Sequence, residues 1–278
     1  MPELPEVEVC RRGLLPELEG QRILKAVVRF PRLRQVIPEG LAERLAGRYI
    51  QNIERRSKYL LFDIRAKKNG ATEGWLILHL GMSGNLRFVS PAEPLGKHDH
   101  FDLVAEGALL RFSDPRRFGV IAWQDGADPM LHPLLSVLGV EPLSENLTAD
   151  WLYEITRRRS APIKTMLMDG HTVVGVGNIY ASESLFRAGI SPLRAANRVG
   201  KERCASLVSA VRETLSDAIA AGGSSIRDYV HSDGGAGCFQ VSCAVYDRAG
   251  QPCQRCAGTV KQIRQAGRST YYCPACQR

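Results

Sequence analysis

Two carboxylates and a chain-terminal imino group fall within the first six residues, MPELPE. Removal of Met1, which a second residue as small as Pro2 permits, leaves the secondary amine of Pro2 at the chain start. A terminal amine titrates at about 7.7–8.0, against about 10.4 for lysine, so a useful fraction is unprotonated near neutrality. Such a nitrogen attacks an aldehyde carbon and forms a cationic iminium, the Schiff-base strategy usually given to a lysine. Glu3 and Glu6 supply carboxylates for moving protons beside it. The same stretch also fits an ordinary helix start, with Pro5 at a first helical position and acids in the first turn. Leu4, Val7 and Leu14 then face a core and Gly13 ends the helix. Spacing alone does not separate the two.

The second constellation is Cys253, Cys256, Cys273 and Cys276, two CxxC pairs each beside a hairpin turn. That is the ligand spacing of a tetrahedral four-cysteine zinc ribbon. One structural Zn2+ with every position filled leaves no open site for catalysis and holds a hairpin too small to be stable alone. Lys261, Arg264 and Arg268 lie between the pairs and suit phosphates. Ribbons also mediate protein contacts. Cys10, Cys204, Cys238 and Cys243 are scattered, which fits a reducing compartment better than a disulfide framework.

Three further stretches carry candidates. Lys58 precedes the apolar run YLLFDI, either as a solvated strand-end lysine or as a cation aimed at a phosphate. HLGMSG sets Met82 near two glycines, and DPRRFG sets Arg116, Arg117 and Phe118 on another tight turn. Each is a plain hairpin tip or, taken together, an exposed wedge able to replace lost base stacking. In GVGNIYASESLF, Gly175 and Gly177 allow a close approach and Asn178 stands where an N-cap belongs. The helix start behind it offers backbone N–H groups to a phosphate.

The elements that must hold these residues follow from patterning. Residues 20–123 alternate β-branched and aromatic runs with tight turns and one short helix, LAERLAGR, which predicts an antiparallel sandwich or barrel. Residues 124–148 are proline-rich with weak element signals. From Thr148 the pattern is helical as far as Gly222-Gly223, followed by a long polar, glycine-rich loop, either a closing loop or a disordered one. The expected organisation is an N-terminal sandwich domain over 1–130, a linker over 131–148, a helical domain over 149–237 and a zinc hairpin over 238–278.

With 278 residues, 44% hydrophobic and 24% charged, the chain is long enough for two folded domains. No apolar run reaches the roughly 18 residues of a membrane span, and the start is acidic where a secretory signal is basic. A cytoplasmic, nucleoid-associated monomer is expected. The net charge is +8. Four thiolates around one Zn2+ carry two net negative charges, which still leaves about +6. A polyanion is the favoured partner.

Taken together, PELPEVE, SKYLL, HLGMSG, KHDHFDL, DPRRFG, GVGNIYASE and the terminal CxxC pairs resemble the bacterial formamidopyrimidine-DNA glycosylases from end to end. The resemblance implies an α+β chain of two domains: an N-terminal antiparallel β-sandwich with an N-terminal helix, then a helix–two-turn–helix domain with the zinc ribbon. It implies a bifunctional glycosylase and abasic-site lyase of base excision repair. Such an enzyme excises 8-oxoguanine and formamidopyrimidines from damaged double-stranded DNA in a groove between the domains. By resemblance Pro2 is the nucleophile, Glu3 the acid that assists ring opening and Glu6 a second carboxylate. Lys58 contacts phosphate and assists catalysis, and Lys164 lies near the damaged base. Met82, Arg116 and Phe118 fill the void, Asn178 and Arg268 clamp phosphates, and His79 adds a contact. Where many members have a GGTTLKD-like stretch this chain has GGSSIRD, with Arg227 replacing lysine, and Cys238 stands where an aromatic is common. The neighbouring alternatives are an endonuclease VIII-like enzyme for oxidised pyrimidines and a non-catalytic zinc-ribbon DNA binder.

Overall fold

The computed structural model describes residues 2–223 and 243–278. Arg227, Cys238 and the whole of 224–237 lie outside the described residues. The chain forms two compact units, dividing between Ser136 and Val137 and crossing back to the first unit at Gly222.

In the first unit α1 (Leu4–Leu18) precedes eight strands and two short helices. The strands are β1 (Ile23–Val28), β2 (Tyr49–Arg56), β3 (Tyr59–Arg65), β4 (Thr72–His79), β5 (Asn85–Phe88), β6 (Asp99–Ala105), β7 (Leu109–Ser113) and β8 (Val120–Asp125). They build two four-stranded antiparallel sheets, β1-β6-β7-β5 and β2-β3-β4-β8. Alternate positions of both sheets, such as Leu60, Phe62 and Ile64 from β3 and Leu103, Leu110 and Phe112 from β6 and β7, make one sandwich core. Val7, Cys10, Leu14 and Leu18 of α1 complete it at one side. The helices α2 (Leu41–Leu45) and α3 (Pro133–Ser136) are single turns.

Helix α1 does not stop at Gly13. It continues through Pro16 to Leu18, and Gly20, with φ +74, takes the turn that ends it. A mid-helix glycine costs only about 1 kcal/mol. Burying Leu14 and Leu18 completely offsets that cost at roughly 1.5–3 kcal/mol each. Glu8 fastens the helix to β2: it binds Arg11 and Arg12 on its own helix and Arg55 at 3.2 Å. Burial raises a carboxyl, but the arginine hydrogen bonds and charges outweigh it and hold Glu8 at about 2.

The second unit holds α4 (Ala149–Arg157), α5 (Ile163–Leu167), α6 (Asn178–Arg187) and α7 (Lys201–Ala220), then the hairpin of β9 (Lys261–Gln265) and β10 (Arg268–Tyr272). The unit boundary falls inside the stretch 131–148 expected as a linker. Within that stretch, Val140 bridges to Val173 and Leu147 joins the helical core. Thr148 caps α4, its Oγ1 accepting from Trp151 N–H at 3.1 Å. Glu183 on α6 accepts three backbone N–H bonds, from Ala244 (2.8 Å), Val245 (3.0 Å) and Tyr246 (2.8 Å). That carboxylate ties the hairpin segment to the helices, beside the small apolar cluster of Phe186, Val245, Val260 and Tyr271. Among the described residues no helix is long and apolar enough to cross a membrane.

Candidate active site

Pro2 and Glu3 are both buried, and Glu6 is fully so. Glu3 is the N-cap of α1, and Glu6 reaches back so that its Oε2 accepts the Glu3 N–H at 2.7 Å, the return half of a capping box. The helix-start chemistry and the proposed proton-handling carboxylates are therefore the same groups: capping fixes the direction of the residue next to Pro2. Gly223 supports this arrangement from the side. Its φ is +78, and a Cβ there would lie 3.2 Å from Glu6 Oε1 and 3.3 Å from Glu6 Cγ.

Lys58 and His79 belong to one sheet. Ser57 and Lys58 form the two-residue turn joining β2 to β3, with Ser57 at φ +57, and Tyr59 pairs with His79 across β3 and β4. The Tyr59 and His79 rings sit 4.7 Å apart. Burial first, then the charges of Lys58 and Arg34, bring His79 down to about 4. Its Nδ1 accepts from Gly81 N–H at 2.9 Å, which leaves the ring proton on Nε2. His79 is thus a neutral donor near pH 7.

The two odd turns lie against each other. Met82 is 38% exposed, Phe118 43%, and Arg116 is exposed with its guanidinium 4.8 Å from the Phe118 ring centre. A Cβ on Gly81 would fall 2.5 Å from Phe118 C and from Gly119 N, so only glycine lets the two backbones meet. Asp114, absent from the sequence-based candidates, is fully buried where they meet. Aspartate followed by proline at the start of a turn is ordinary β-turn preference, and that was the only signal for it.

In the second unit Lys164 is 2% exposed. Its Nζ donates to Asn178 Oδ1 at 2.5 Å and Thr270 Oγ1 at 2.7 Å, with the Ser269 carbonyl at 3.4 Å. Asn178 Nδ2 donates to the Ser269 carbonyl at 2.9 Å. Asn178 is not the N-cap: Gly177 holds that place, and the Asn178 side chain turns to the hairpin instead. Arg268, exposed, opens β10 after the turn Ala266-Gly267, both at positive φ, as a two-residue hairpin loop with strand-matched twist requires. Lys164, Asn178 and the strand of Arg268 are thereby one bonded group.

The four ribbon cysteines converge, with all Sγ atoms within 4.8 Å of one another. Cys253 and Cys276 are 3.9 Å apart and Cys256 and Cys273 3.6 Å. Sulfurs about 2.3 Å from a tetrahedral zinc stand about 3.8 Å from each other, so the set fits one Zn2+. Burial and then the neighbouring cysteines push Cys276 up to about 12, while at Cys253 burial is outweighed by the backbone N–H groups of Arg255 and Cys256 together with hydrogen bonds from Cys273 and Cys256, which bring it to about 7. Four thiolates this close need a cation.

An antiparallel sandwich led by a helix, a helical unit and a four-cysteine hairpin are together the architecture of a zinc-finger DNA glycosylase. Residues 1–121 match the formamidopyrimidine-DNA glycosylase N-terminal domain, 138–230 its H2TH domain, and 250–278 the zinc finger found in FPG and IleRS. The formamidopyrimidine-DNA glycosylase of Dechloromonas aromatica is 67% identical over the full length of both chains. The crystal structure of the MutM (FPG) protein from Thermus thermophilus superposes with a TM-score of 0.86 at 41% identity, covering 99% of this chain and 98% of that one. A Lactococcus lactis FPG mutant in complex with Fapy-dG-containing DNA gives 0.90 at 34% identity, with both chains fully covered. The chain belongs to the formamidopyrimidine-DNA glycosylase family.

Proposed function

We propose that this protein excises 8-oxoguanine and formamidopyrimidines from duplex DNA and then cleaves the strand, acting as a cytoplasmic, nucleoid-associated monomer. The observation that carries this is the burial of Pro2, beside which a capping box fixes Glu3 and Glu6. In the proposed reaction the unprotonated Pro2 nitrogen attacks C1′ while Glu3 protonates the ring oxygen. The bond from C1′ to the base breaks and its electron pair leaves with the base, which takes up the proton shed by the Pro2 nitrogen. The C1′–O4′ bond then opens onto the protonated oxygen, and an iminium joins Pro2 to the opened sugar. That cation acidifies the C2′ proton, whose loss expels the 3′ phosphate. A second elimination expels the 5′ phosphate.

Met82, Arg116 and Phe118 fill the gap left by the extruded nucleotide, with Arg116 facing the orphaned base. Asn178, Arg268 and the N–H groups opening α6 hold phosphates, and Lys58 and His79 add contacts. Lys164, enclosed behind that clamp, acts by holding Asn178 and β10. The zinc ion held by Cys253, Cys256, Cys273 and Cys276 keeps the Arg268 hairpin folded and takes no part in the chemistry.

Borohydride reduction in the presence of duplex containing 8-oxoguanine opposite cytosine tests the proposal. A covalent adduct is expected from protein whose mass shows Met1 removed, and none from Pro2→Gly. Faster cleavage of a thymine glycol duplex than of the 8-oxoguanine duplex would instead move the preference to oxidised pyrimidines.

A further inference from the structure

The exposed wedge residues stand on two turns separated by some thirty residues of chain. What joins the turns is Asp114, a carboxylate with no exposed surface. Its Oδ1 accepts from Ser83 Oγ at 2.7 Å and from Arg116 N–H at 3.2 Å. Its Oδ2 accepts from Gly119 N–H at 2.8 Å. Arg116 N–H also lies 3.3 Å from Ser83 Oγ. The Asp114 backbone is held as firmly: its N–H donates to the His98 carbonyl at 2.9 Å, and its carbonyl accepts from Arg117 N–H at 3.2 Å and His100 Nε2 at 2.9 Å.

These bonds have a direction. Ser83 follows Met82, so the Ser83 hydroxyl fixes the turn that carries Met82. Arg116 and Gly119 bracket the turn that carries Arg116 and Phe118, and both N–H groups point at the same carboxylate. One buried anion therefore sets the spacing of all three tips. A neutral amide of the same shape supplies one oxygen where the carboxylate supplies two, and its NH2 would face an N–H or hydroxyl donor. Hydrogen bonds to a charged acceptor are about twice as strong as neutral ones, and a buried donor left unmet is costly.

We infer that Asp114, through Ser83, is a positioning residue that locks the Met82 turn and the Arg116-Phe118 turn into a single rigid wedge, and so controls extrusion of the damaged nucleotide and not the covalent step. The inference rests on the wedge role proposed above. It separates two quantities: entry of the wedge into duplex, which needs the lock, and reaction of Pro2 with an already accessible sugar, which does not.

The test uses Asp114→Asn and the milder Ser83→Ala in the full-length zinc-loaded protein. Wedge entry is read from the fluorescence of 2-aminopurine placed opposite a tetrahydrofuran abasic analogue in duplex, which involves no chemistry. Covalent competence is read by borohydride trapping on a single-stranded abasic oligonucleotide. The expected result is a loss of most of the fluorescence change and a fall of about tenfold in 8-oxoguanine excision for Asp114→Asn, with about threefold for Ser83→Ala. Single-strand trapping stays within twofold of wild type. A fluorescence response in both variants equal to wild type overturns the inference, as does a parallel fall in single-strand trapping. Wild-type protein that shows the fluorescence change, lost in the variants, yet never traps would sink the Schiff-base proposal and leave the lock standing.

Discussion

Lys164 Nζ stands 2.5 Å from Asn178 Oδ1, inside the second unit and away from solvent. A buried ammonium is expensive unless each donor is met, and here the acceptors are Asn178, Thr270 and the Ser269 carbonyl. The lysine thus sets the orientation of the asparagine proposed to hold phosphate. Lys164→Ala removes the cation and its hydrogen bonds to Asn178, Thr270 and the Ser269 carbonyl and opens a cavity, at about 2–4 kcal/mol of stability. Denaturant unfolding measures the loss. Affinity for tetrahydrofuran-containing duplex is expected to fall about tenfold with it, and unchanged affinity would rule out the link to Asn178.

Glu6 separates capping from proton transfer. Glu6→Gln keeps an oxygen for the Glu3 N–H, 2.7 Å away in the wild type, but not the charge, while Glu6→Ala removes both. If Glu6 acts by holding Glu3, the glutamine variant retains most of the trapping rate and the alanine variant loses it, together with about 1 kcal/mol of stability. Equal losses in both variants would assign Glu6 a charge-dependent step instead.

The pH dependence has a definite sign. His79 is held at about 4 by burial and by Lys58 and Arg34, so it is neutral across the working range. A rise in the trapping rate between about pH 7 and 8 is expected from loss of the Pro2 proton. His79→Gln should weaken DNA binding and leave that inflection where it was. An inflection displaced by the substitution would mean that the imidazole titrates in the reaction.

Glu8 gives the corresponding stability test. Its folded value of about 2 lies below the ordinary 4.5. The pairing with Arg11, Arg12 and Arg55 therefore contributes in full above about pH 5 and is lost as pH falls from 4.5 towards 2. The stability gap between wild type and Glu8→Gln, from urea unfolding, should stay constant between pH 6 and about pH 5 and shrink from there to pH 3. A constant gap would mean that the carboxylate does not fasten α1 to β2.

The two-sheet domain, the helical domain and the zinc hairpin were legible because period-two patterning, helical periodicity and CxxC spacing are local signals. Pro2, Glu3, Met82, Arg116 and Phe118 stood out for the same reason, as odd residues at tight turns or at the chain start. What sequence did not carry is the partnership between distant residues. Gly13 looked like a helix stop because the burial of Leu14 and Leu18 against the sheets is invisible locally. Asn178 looked like an N-cap because its actual partners, Lys164 and Ser269, lie 14 and 91 residues away. Asp114 and Glu183 carry no local mark of their acceptor roles, because Ser83 and the N–H groups of Ala244, Val245 and Tyr246 lie 31 and 61 to 63 residues away.

Glu183 anchors the segment that leads into the zinc hairpin. Three backbone N–H groups, from Ala244, Val245 and Tyr246, converge on one carboxylate, an anion in a nest of main-chain donors. The zinc ribbon begins just beyond, at Cys253, and its own apolar cluster is small. Two anchors therefore fix the hairpin, the metal at one end and Glu183 at the other. Glu183→Gln turns an amide NH2 towards donors and should cost about 2–3 kcal/mol, seen as a fall of roughly 5 °C in Tm. Stripping zinc with a chelator should cost more, because four crowded thiols then lose their cation. If the anchors share one hairpin, the variant releases zinc to a chelator faster than wild type, and phosphate affinity through Arg268 falls in both cases. Zinc release at the wild-type rate from a variant that melts lower would show instead that Glu183 steadies the helices alone.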